Sequence, residues 1–146
     1  MIAYVDSSVL ARAYLADEPG HKEAARLLED PEIGLVTGTW TRIEVSGALI
    51  RAARAGRGDA AGLLDLLDGD LGTDGPVTVV AADQEDVEER ALHLVREHAI
   101  RTMDAWHLAV AILTLPGLAE PGEDLGFATR DDAQSSVAAG LGLQPV

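Results

Sequence analysis

Four acids carry the chemistry that this sequence offers. Asp6 ends the apolar opening "MIAYVD", Glu44 sits in "WTRIEVSGALIRA", Asp104 opens "MDAWHLAVAILTL", and Asp131 follows another apolar run in "FATRDD". Carboxylates held within a few Å of one another repel, so such a cluster is unfavourable unless something positive neutralises it. Oxygen-only ligands suit Mg²⁺ or Mn²⁺, which keep several waters and take further charge from phosphate. An ion held this way activates water and steadies the leaving oxygen of a phosphodiester. The chemistry implied is metal-assisted hydrolysis.

Each acid also has a plainer reading. Asp6, Asp104 and Asp131 could cap the helices that follow them, each for about 1 kcal/mol. Glu44 completes Thr41-Arg42-Ile43-Glu44, an S/T-x-x-E capping box in which its side chain would reach back to Thr41. No Lys or Arg is visibly committed to neutralising the cluster, although Arg130 adjoins Asp131.

The elements around these acids decide whether they meet. Residues 2–5, 33–37, 77–82 and 125–129 are short, apolar and β-prone, with a last strand expected in "LQPV". Helices are expected from Ser7 to Leu15, from near Pro19, over 41–56 closed by Gly56, over 59–69 stopped by Gly69, over 84–99 and over 103–115. In the 41–56 helix, Ile43, Leu49, Ile50 and Ala53 are expected inward. The helix at 103–115 is apolar nearly all round, as befits one buried mid-domain. Strands alternating with helices make βα units, so the expectation is one α/β domain over residues 1–146: a parallel sheet of four or five strands between helical layers. The C-terminal ends of parallel strands share one edge, where ligands bind. Asp6, Glu44, Asp104 and Asp131 would then converge there. The conspicuous loop, "PGLAEPGED" at 116–124, could flank the same groove.

Composition narrows the classes. The chain has no cysteine, which excludes disulfides, zinc-thiolate sites and thiol catalysis. No stretch approaches the ~20 apolar residues of a membrane span, and no basic region precedes the apolar N-terminus. The expectation is a cytoplasmic protein. Eleven basic against twenty-five acidic residues give a net charge of −14, which argues against a passive electrostatic grip on nucleic acid. Most acids, as in "DQEDVEER" (83–90), read as solvated helix faces.

The segments "YVDSSVL", "WTRIEVSGALIRA", "RTMDAWHLAVA" and "FATRDDA", in this order, resemble the four motif regions of PIN-domain nucleases, and most closely the VapC-type toxins of bacterial toxin–antitoxin pairs. The resemblance runs from residue 2 to about 143. It implies a three-layer fold and a ribonuclease that uses Mg²⁺ or Mn²⁺. Asp6, Glu44 and Asp104 match the three family acids, and Asp131 the fourth, more variable one, with Thr129 keeping the Thr-x-Asp spacing. Asp132 follows directly and competes with Asp131 for the metal-facing place. Ser8 matches a small hydroxyl residue that could orient Asp6 or a water, or merely start the helix. His107, one turn after Asp104, could serve metal or substrate, or pair with a neighbouring acid.

The mechanism expected is attack by metal-activated water on phosphorus, with Asp6, Asp104 and Asp131 on the ion and Glu44 beside them. Water rather than the ribose 2′-hydroxyl as nucleophile would leave 5′-phosphate and 3′-hydroxyl ends. Arg42, Arg51, Arg54 and Arg57 could form a phosphate-binding ridge, or simply a solvated, ion-paired face. Trp40 is the best candidate for base stacking. The resemblance further implies a cognate antitoxin with a basic or Arg-bearing segment, and a homodimer. The rival readings are a non-catalytic PIN-like binding module and a DNA nuclease of the same fold.

Overall fold

The computed structural model describes all residues from Met1 to Val146. Five strands form one parallel sheet: β1 (Ile2–Val5), β2 (Gly34–Gly38), β3 (Val77–Val80), β4 (Leu125–Ala128) and β5 (Gln144–Pro145). Seven helices flank it: α1 (Ser7–Tyr14), α2 (His21–Glu29), α3 (Thr39–Arg54), α4 (Ala60–Asp70), α5 (Gln84–His98), α6 (Thr102–Leu118) and α7 (Asp132–Gly140). The strand order is β3-β2-β1-β4-β5. The chain steps outward from β1 to β3, then returns through α5 and α6 to lay β4 on the other side of β1. The order therefore reverses between β1 and β4, and in open α/β sheets a crevice opens at such a point.

The two-residue period of a strand divides the core. Ala3, Val5, Leu35, Val77 and Ala128 face one side, where α1, α2, α3 and α4 cover them with Leu10, Ala24, Leu49 and Leu67. Tyr4, Val36 and Phe127 face the other, under α5, α6 and α7. Leu10, Leu49, Leu67, Leu94, Leu108 and Leu115 are fully buried, each worth about 1.5–3 kcal/mol. Helix α6 packs on β1, β2 and β4 and lies beside α5 and α7. This explains its apolar circumference.

Several boundaries and phases differ from the sequence expectation. Helix α3 starts at Thr39 behind Gly38, so Thr41 is inside the helix rather than its cap, and no capping box forms. Its buried face is Thr41, Val45, Leu49 and Ala52, while Ile43 is 66% exposed. The phase is set by Thr41, whose hydroxyl lies 2.7 Å from that of buried Thr37, a polar anchor that apolar periodicity does not count. Helix α4 runs past Gly69 to Asp70, where Tyr14 donates a 2.8 Å hydrogen bond to the Asp70 carboxylate. Strand β3 ends at Val80 rather than at 82. Helix α6 continues through Pro116 to Leu118, which shortens the loop to 119–124. That loop enters β4 at its N-terminal end, where Asp124 accepts from the Ile2 amide at 3.1 Å and Glu123 pairs with the chain's own N-terminus at 3.3 Å. It lies at the edge opposite Asp6 and Asp131, so it does not flank the groove between them.

Candidate active site

Asp6 stands at the end of β1, buried to 3% exposure. Its Oδ1 accepts from the Ser8 amide (3.0 Å), the Ser8 hydroxyl (2.7 Å) and the Val9 amide (3.1 Å). Asp6 does cap α1, but with one oxygen. Oδ2 takes only the Thr129 hydroxyl, at 2.7 Å, and retains an unused lone pair. Burial drives the Asp6 pKa upward, opposed first by the Ser8 and Thr129 hydrogen bonds. Ser8 also accepts from the Arg130 amide at 3.1 Å, so it orients Asp6 and ties α1 to the turn after β4.

That turn supplies the next acid. Asp131 caps α7, its Oδ1 accepting from the Gln134 amide at 2.9 Å, while its own amide donates to Thr129 Oγ1 at 3.1 Å. Buried Gln134 lies between these groups. Its carbonyl oxygen is 2.6 Å from the Thr129 hydroxyl, and its amide donates to the Asp104 backbone at 3.2 Å. Asp132 is exposed on the first turn of α7, and Asp131 is the one turned toward Asp104.

Asp104 lies in the first turn of α6 and does not cap it. Its carboxylate instead meets Arg101, with Nε to Oδ2 at 2.7 Å and Nη2 to Oδ1 at 3.3 Å. The same Nη2 reaches Asp131 Oδ2 at 2.9 Å. One guanidinium thus bridges acids that are 27 positions apart, and Asp104 above all holds its pKa above the ordinary arginine value. Arg101 was not among the residues singled out by sequence. An arginine just before a helix has no periodic signature, and only the fold brings α7 to it.

Glu44 is held differently. Its Oε2 is 2.6 Å from His107 Nε2, and His107 Nδ1 is 2.8 Å from the Tyr4 hydroxyl, which accepts from the Gly38 amide at 3.0 Å. The phenol has one proton and, already accepting from Gly38, donates it to Nδ1. Nε2–H is then left to donate to Glu44. Burial pushes the Tyr4 pKa far up, which keeps the phenol a donor. His107 is 2% exposed and serves as a strut for Glu44. Gly38 is required here: a Cβ would fall 2.7 Å from the Tyr4 hydroxyl and 2.8 Å from the Trp106 ring.

The arginine ridge does not hold as one surface. Arg57 is committed to Asp17 (2.7 and 2.9 Å) and Glu18 (2.7 Å), and Arg42 leans on Asp68 at 3.4 Å. Arg51 and Arg54 are exposed in the last turn of α3. Trp40, half-exposed, pairs with Trp106 at 6.0 Å, and the two line apolar clefts between α3, α5 and α6.

The donor set fits a hard divalent cation. It is all oxygen, it draws on the ends of β1 and β4 and the first turns of α6 and α7, and it includes a buried carboxylate with no cation in direct contact. No three acid or histidine side chains converge on a single point, however. The charge between Asp104 and Asp131 is met by Arg101.

The PIN domain family matches residues 3–139. No curated protein matches the chain. Among solved structures, one from Pyrobaculum aerophilum superposes with a TM-score of 0.65 at 21% identity, covering 100% of this chain and 90% of that one. A toxin–antitoxin complex from Klebsiella pneumoniae gives 0.56 at 21% identity over 88% and 86% of the two chains. Mycobacterium tuberculosis VapC20, described as a sarcin–ricin loop cleaving toxin, gives 0.54 at 23% identity over 83% and 91%. At these identities the likeness is one of fold.

Proposed function

Because the chain belongs to the PIN-domain family, we propose that it is a metal-dependent endoribonuclease and the toxin of a toxin–antitoxin pair. The observation that carries this reading is Asp6: a buried carboxylate at the C-terminal end of β1 whose Oδ2 accepts only the Thr129 hydroxyl, beside the turn after β4 that carries Asp131. A buried charge without a partner in direct contact is costly, and a cation removes that cost.

Asp6, Asp104 and Asp131 would hold Mg²⁺ or Mn²⁺. The bound ion supplies a nucleophile from water near neutral pH and charge stabilisation at the departing oxygen. Ser8 and Thr129 fix the Asp6 carboxylate, and Gln134 ties the Asp131 turn to α6. Glu44, oriented through Oε2 by His107 and Tyr4, would accept a proton or a water hydrogen at Oε1. Arg51 and Arg54 offer charge to the RNA backbone. The partner proposed is an antitoxin that covers this acidic crevice, and the active chain is proposed to be a homodimer. No helix is long and apolar enough to cross a membrane.

The test is incubation of antitoxin-free protein with RNA and with single-stranded DNA of equal sequence, in Mg²⁺ and in EDTA. RNA products with 5′-phosphate and 3′-hydroxyl ends, formed only with metal and lost in Asp6→Asn, support the reading. Terminal 2′,3′-cyclic phosphates, or cleavage that survives EDTA, would overturn it.

A further inference from the structure

Arg101 has no packing role that explains its position. It precedes α6 with extended backbone, its side chain is 74% exposed, and its contacts are carboxylate oxygens of Asp104 and Asp131. We propose that Arg101 is a resident counter-ion that stands in the divalent cation's place in the metal-free protein, gives way when the ion binds, and then engages a phosphate of the RNA. The inference rests on the reading of this crevice as a metal centre.

The geometry supports each step. Asp104 and Asp131 are two of the acids that would hold the ion, and the guanidinium engages an oxygen of each at 2.7 and 2.9 Å. One oxygen pair cannot hold both cations with the same lone pairs, so binding of the ion competes with the arginine. No three acids converge on one point, and the guanidinium occupies the place between Asp104 and Asp131. Removal of the arginine would leave two carboxylates facing each other, so the bridge also keeps the metal-free site from repelling itself open. Exposed ion pairs are weak enough to be exchanged. Once free, the guanidinium remains tethered at the crevice rim, and its planar fork suits a phosphate.

The experiment is calorimetric titration of Mn²⁺ into wild type, Arg101→Gln, Arg101→Met and Arg90→Gln. The last removes the same charge from the exposed face of α5. Melts in EDTA verify that each variant is folded. The expected result is Mn²⁺ binding roughly tenfold tighter in both Arg101 variants and unchanged in Arg90→Gln. A purely structural arginine would instead loosen the site, so unchanged or weaker binding in both Arg101 variants overturns the proposal. Absence of binding in wild type and variants alike would overturn the metal-centre reading beneath it. In Ca²⁺, the salt dependence of binding to a short fluorescein-labelled oligouridylate should flatten in Arg101→Gln by about 0.7 in log–log slope, one phosphate contact. An unchanged slope would refute the phosphate role.

Discussion

Replacing Asp6 with Asn should make the metal-free protein more stable, not less. Asp6 is buried, and burial raises its pKa. The amide can keep what matters for the fold: its oxygen accepts from the Ser8 and Val9 amides and caps α1 as well as a carboxylate does. Its nitrogen would face Thr129, whose hydroxyl can turn its proton to Gln134 at 2.6 Å. What is lost is a buried charge, and relief on the order of 1–3 kcal/mol is expected. At roughly 3 °C per kcal/mol, that is a rise in Tm of about 3–9 °C in EDTA. The pH dependence follows from the raised pKa. Between the unfolded value of 3.8 and its higher folded value, Asp6 binds its proton more tightly in the native state. Its contribution is therefore most favourable at low pH and is lost as pH rises through the folded pKa. The gap between variant and wild type should widen over that window and stay constant above it. Saturating Mn²⁺ should reverse the order, since a thousandfold excess over Kd adds about 4.1 kcal/mol to a protein that binds and nothing to one that does not. Differential scanning calorimetry in EDTA and in Mn²⁺ reads all of this. A lower Tm for Asp6→Asn in EDTA, or equal Mn²⁺ shifts in both proteins, would refute the reasoning.

Tyr4→Phe leaves the buried Gly38 amide and His107 Nδ1 without their partner, so urea denaturation should show a loss of about 1–3 kcal/mol together with reduced RNA cleavage through a loosened Glu44. Gly38→Ala forces Cβ against Tyr4 and Trp106 and should cost about 1–3 kcal/mol by overpacking, with an altered near-ultraviolet spectrum from the tryptophan. Arg51→Ala and Arg54→Ala should each flatten the salt dependence of RNA binding by about 0.7. Arg57→Ala should leave it unchanged, because that side chain is already engaged by Asp17 and Glu18.

How much of this was legible in sequence varied with the kind of signal. Strand runs such as IAYV and LGFA are short and apolar, and the helices between them give the parallel sheet directly; the placement of Asp6 and Asp131 beside one crevice follows from it. The phase of α3 was misread because its buried anchor is Thr41, which pairs with Thr37 instead of joining an apolar stripe. The loop at 116–124 was drawn too long because a proline in the last helical turn reads like a helix stop; its place opposite the acids follows from chain order, since a loop before a parallel strand enters at the strand's N-terminal end. Arg101, Tyr4 and Gln134 were missed for a shared reason: each acts through a partner between 30 and 103 positions away, and no local pattern encodes such a contact. Cap and ligand are also not exclusive readings for Asp6: Oδ1 caps α1, while Oδ2 accepts only the Thr129 hydroxyl and is the oxygen proposed for the ion.

Asp6 and Asp104, far apart in sequence, are proposed to hold one divalent cation. This is tested most directly by calorimetric titration of Mn²⁺ and Mg²⁺ into antitoxin-free wild type, Asp6→Asn and Asp104→Asn. Saturable binding in the wild type, abolished in both variants while each remains folded, is the predicted result. No binding to folded wild type up to millimolar metal would contradict it and leave the acids to Arg101 and the helix ends.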